Sequence, residues 1–69
     1  MAKRYMRLKD GKRIWEKAQG GREARSEALR EAYEMVGLYY MGGRTWHREA
    51  FMELVNDIRT IELVPPHLR

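Results

Sequence analysis

The chain is sixty-nine residues long, carries a formal charge of +4 and contains no cysteine. That length allows one domain with a modest core. The missing cysteines exclude disulfide staples and thiolate metal sites. Stability must then come from helix packing or self-association, so a homodimer is expected. The charge is uneven. Residues 1–25 hold nine Lys and Arg against Asp10, Glu16 and Glu23, a balance of +6, while residues 26–69 hold five Arg against seven acids, a balance of −2. A basic end of this kind points to phosphate or an acidic protein surface as partner. No apolar run reaches the length of a signal peptide or a bilayer span, so a cytoplasmic location without membrane contact is expected.

Residues 1–19 form a basic arm. Within it KRYMRLK alternates with period two, Lys3, Tyr5, Arg7 and Lys9 on one side and Met6 and Leu8 on the other. That pattern predicts a short strand with an apolar back and a basic front. Asp10-Gly11 then admits two readings. As a hairpin turn it makes Lys12–Lys17 a return strand that pairs Tyr5 with Trp15. As a helix start it makes Asp10 an N-cap and Lys12–Gln19 a short helix, with Ile14, Trp15 and Ala18 facing inward and Gly20 as the stop.

The central segment, residues 22–41, predicts an amphipathic helix between two glycine pairs. Its expected core stripe is Leu29, Tyr33, Val36 and Tyr40, with Ala32 beside them. Gly37 falls inside and marks either a close helix crossing or the helix end. Thr45 is placed to cap a last helix over residues 45–62, whose apolar stripe is Phe51, Leu54, Val55, Ile58 and Ile61. Pro65 and Pro66 end it, and residues 65–69 form a tail. The expected fold is mainly α: a short N-terminal β element followed by two or three packed amphipathic helices. The alternative is an α+β fold with an N-terminal β-hairpin and two helices.

The remaining constellations carry little chemistry. His47 and His67 have no ligand partner at helical spacing, so no metal and no cofactor is expected. Glu49, Glu53 and Asp57 line up at intervals of four, the pattern of a solvated acidic face rather than of paired catalytic carboxylates. Tyr33 and Tyr40 fall on the core stripe, while Trp15 and Trp46 flank the helices as packing anchors. No enzyme activity is expected. The arm differs, because long donors spaced along one strand face can follow phosphates or enter a groove.

Residues 3–36 resemble the ribbon-helix-helix family of DNA-binding repressors. The likeness lies in the order KRYMRLK, GKRIWEKAQ, a glycine turn and RSEALREAYEMV. By that resemblance the strands of two chains would pair as a ribbon in the major groove, with Tyr5, Arg7 and Lys9 reading bases. The amino end of the central helix, near Arg25 and Ser26, would hold a phosphate. The expected function is that of a small dimeric DNA-binding protein of phage or plasmid regulator type, with DNA ahead of RNA as partner. Lys3, Arg4, Lys12, Arg13 and Arg25 would supply the phosphate contacts. The alternative is a protein-binding modulator, for example phage-encoded, whose basic arm docks on an acidic or nucleic-acid-binding surface of a host protein.

Overall fold

Two glycine breaks divide residues 3–63, the part of the chain described by the computed structural model, into three helices. A single 3₁₀ turn, Arg4–Arg7, leads into α1 (Lys9–Ala18), followed by α2 (Arg22–Gly42) and α3 (Thr45–Leu63). The fold is therefore mainly helical, with three packed helices and no strand among the described residues. The proline stop and the expected tail at residues 65–69 lie outside them.

The expected β element is a 3₁₀ turn instead. Met6 and Leu8 donate their amides to the carbonyls of Lys3 and Tyr5, each at 3.0 Å. These short-range bonds satisfy backbone groups that a lone strand would leave without a ladder partner. Tyr5, assigned by alternation to the solvent face, is 2% exposed, whereas Met6 from the apolar side is 37% exposed. An aromatic ring combines a large buried area with a polar tip that finds a partner when buried, and an alternation of seven residues does not show which side will turn inward.

Of the two readings of Lys12–Lys17, the helix holds. It starts earlier than expected, with extended Leu8 as its cap and Asp10 inside the first turn. A carboxylate there still favours the helix through the dipole. Gly11 makes no turn; it is buried against Tyr5, and a Cβ at that position would stand 2.9 Å from the Tyr5 Cβ. Gly21 (φ 116°) and Gly43 (φ 79°) hold the left-handed backbone angles at the two breaks. The Gly43 amide closes α2 by donating to the Tyr39 carbonyl at 3.1 Å, a glycine stop of the usual kind.

The core comprises Tyr5, Ile14, Ala18, Ala28, Ala32, Ala50, Phe51, Leu54, Val55 and Ile58. The α3 stripe is the expected one from Phe51 to Ile58, with Ala50 added, while Ile61 is only partly buried. The α2 stripe is as expected at Leu29, Ala32 and Val36 but turned elsewhere: Ala28 and Ala32 are fully buried, with Leu29, Met35, Val36 and Tyr39 packed against the core. Tyr33 and Tyr40, expected inside, are 46% and 68% exposed. Because α2 packs against both α1 and α3, its inward face takes alanines, which let the neighbouring backbones approach. Tyr39 fills the far end, its ring stacked 4.7 Å from His47 and 5.8 Å from Phe51. His47 is thus half-buried between aromatic rings, with Trp46 edge-on at 5.1 Å.

Candidate nucleic-acid interface

The fold lays the basic arm across acidic side chains of α2 and α3. Lys3 Nζ lies 3.6 Å from Asp57 and 3.8 Å from Glu53. Arg4 Nη1 donates to Glu49 at 2.5 Å. The row Glu49, Glu53 and Asp57, expected to be merely solvated, is the surface on which the arm rests. Its spacing of four and its sign opposite to the arm were both visible in the chain. Their meeting depended on the 3₁₀ turn.

Tyr5 holds that turn in place. Its hydroxyl donates to Asp57 Oδ2 at 2.6 Å, and its ring lies 5.9 Å from Trp15. Burial, followed by the hydrogen bond to Asp57 and the nearby carboxylate charges, pushes the phenol pKa well above its ordinary value. Tyr5 is accordingly a packing anchor with its polar atom satisfied inside the molecule.

Glu31 of α2 plays the matching part for α1. It accepts from Lys17 Nζ at 2.9 Å and from Arg13 Nη1 at 3.3 Å, and the Lys17 hydrogen bond foremost holds its carboxyl below the usual range. Arg13 also lies 3.9 Å from Asp10. Arg25 is tucked between helices, its Nε buried without a hydrogen bond and 3.7 Å from Glu62. Ser26 is exposed but stands inside α2, because the Arg25 amide already donates to the Gly21 carbonyl at 2.8 Å. The amides open to an anion at that helix end belong to Arg22, Glu23 and Ala24.

Three of the expected residues remain together and uncommitted. Arg7 ends the 3₁₀ turn, and Lys9 and Lys12 occupy the first turn of α1. All three are exposed, and none forms an ion pair among the described residues. Helical geometry turns Lys9, Lys12, Arg13 and Glu16 away from the buried Gly11, Ile14 and Ala18. Of the nine residues singled out, Arg7, Lys9 and Lys12 are thus exposed near the start of α1, while Lys3, Arg4, Tyr5, Arg13 and Arg25 lie against acidic side chains of the protein itself.

Among the described residues no three His, Asp or Glu side chains group as a metal site, and no helix is long and apolar enough to cross a membrane. No family model matches the chain, and no curated protein or solved structure shows significant similarity to it.

Proposed function

We propose that this chain is a small DNA-binding protein that meets the phosphate backbone through Arg7, Lys9 and Lys12. The observation that carries the reading is their exposure, without carboxylate partners among the described residues, at the end of the 3₁₀ turn and in the first turn of α1. An α-helix fits the major groove, so α1 replaces the ribbon as the element presented to the duplex. Arg13 is half exposed and can join them, because surface ion pairs are weak enough to exchange for phosphate. Its size and basic edge suit a phage- or plasmid-type regulator.

Fluorescence anisotropy on labelled DNA and RNA duplexes across salt tests the idea. Three neutralised phosphates give a log–log slope of about −3 per protomer. Replacing Arg7, Lys9 and Lys12 together by Gln abolishes binding with helical circular dichroism unchanged. A flat salt response overturns the proposal. One observation favours a second reading, a modulator that docks on a host protein: internal pairing leaves a cationic cluster small enough for a single acidic protein patch. Recovery of one protein by the immobilised chain after nuclease treatment, lost in the triple Gln variant, supports that reading instead.

A further inference from the structure

Glu16 is a carboxylate set among cations. It stands on the exposed side of α1 with Lys9, Lys12 and Arg13, opposite the buried Gly11, Ile14 and Ala18. At about 100° per residue, Lys9 and Glu16 fall within about 20° of one line along the helix, and Lys12 and Arg13 flank that line on its two sides.

The neighbouring cations do not hold this carboxylate. Arg13 is turned to Glu31 and Asp10, and Lys17 to Glu31. Among the described residues the Glu16 side chain forms neither an ion pair nor a hydrogen bond. Lys12 lies one turn before it, but a base that precedes its acid by four residues is the weaker order for a helical pair.

A free carboxylate on the outward face of a helix in the major groove is repelled by the phosphates. Its oxygens only accept hydrogen bonds, so they need donors on the base edges. The groove offers the amino groups of cytosine and adenine. The adenine amino group stands beside N7, itself an acceptor, whereas the cytosine amino group has no acceptor next to it on its own base.

We infer, on the duplex-binding role proposed above for α1, that Glu16 determines sequence specificity by accepting a hydrogen bond from a cytosine amino group. Arg7, Lys9 and Lys12 attract any duplex, because phosphate contacts carry no sequence information. Glu16 subtracts from that attraction wherever no cytosine lies within reach, so wrong sequences are penalised more than the right one is tightened.

Anisotropy at fixed salt, on short labelled duplexes built only of G·C pairs or only of A·T pairs, tests the parent chain beside Glu16→Ala and Glu16→Gln. Position 16 is exposed, so circular dichroism should find all three equally helical. The parent chain should prefer the G·C duplex about tenfold. Glu16→Ala should bind the A·T duplex about tenfold more tightly than the parent does and lose the preference. Glu16→Gln should shift the preference towards A·T, because a glutamine amide pairs with adenine N6 and N7. A solvated glutamate behaves differently: its removal tightens both duplexes by the same factor, and that result overturns the inference. Equal binding of both duplexes by the parent chain, or a parental preference kept in Glu16→Gln, does the same while leaving the duplex-binding role standing. A parent chain that binds neither duplex removes that role as well.

Discussion

Tyr5 joins the arm to the helices, and its chemistry makes that joint sensitive to alkali. The phenol is buried and donates to Asp57, so its pKa is raised in the folded chain. In the unfolded chain it titrates near the ordinary value of about 10. Between those two values the folded state holds the proton that the unfolded state has released. This stabilising contribution is complete below pH about 10 and drains away as pH rises towards the folded pKa. Denaturant melts across alkaline pH should therefore show steep destabilisation in the parent chain and a shallower one in Tyr5→Phe. At neutral pH the same substitution should cost about 1–2 kcal/mol, because Asp57 loses a hydrogen bond but keeps Lys3 beside it. Equal alkaline slopes in the two proteins would show that Tyr5 is not the titrating joint. None of this was legible in the alternation of KRYMRLK, which placed Tyr5 among the solvent-facing side chains.

At the scale of the elements, two helical glycines that look alike in the sequence behave in opposite ways. Gly11→Ala gains helix propensity but drives a methyl group into the backbone of Tyr5, whose carbonyl cannot rotate away. The expected net loss is about 1–3 kcal/mol, read as a lower melting temperature. Gly37→Ala meets open space and should raise the stability of the isolated protomer by about 0.5–1 kcal/mol, measured at concentrations too low for association. A gain at position 11 would mean that the 3₁₀ turn does not press on α1. Hydrophobic spacing made α3 readable because its stripe has large side chains all along it. It misplaced the α2 stripe by a fraction of a turn, since the residues that pack there are Ala28 and Ala32 and the larger Tyr33 and Tyr40 drew the eye to the neighbouring face. Glycine and alanine record how closely a second element approaches, and that is a property of the assembled fold.

For the molecule as a whole, the imbalance between a basic end and an acidic end does not persist as two separate poles. The arm folds back so that Lys3 and Arg4 lie on Glu53, Asp57 and Glu49, and the field of the basic end is partly cancelled from within. The candidate interface was thus legible as a region, but its extent was not, since only the folded arrangement separates paired from unpaired cations. These pairs are about half exposed on the arm's side, so each contributes under about 1 kcal/mol to stability. Their larger effect is on what the surface offers a polyanion. Glu49→Gln combined with Glu53→Gln should therefore leave the fold nearly as stable while releasing Arg4 and, in part, Lys3. Asp57 is kept because Tyr5 depends on it. If the cationic edge at Arg7, Lys9 and Lys12 binds a phosphate backbone, the two released cations should tighten binding and steepen the salt slope by about one to two units. Tighter binding with an unchanged slope would place the bound phosphates out of reach of the arm. Unchanged affinity would mean that α3 does not restrain the arm and that the cationic edge of α1 acts alone.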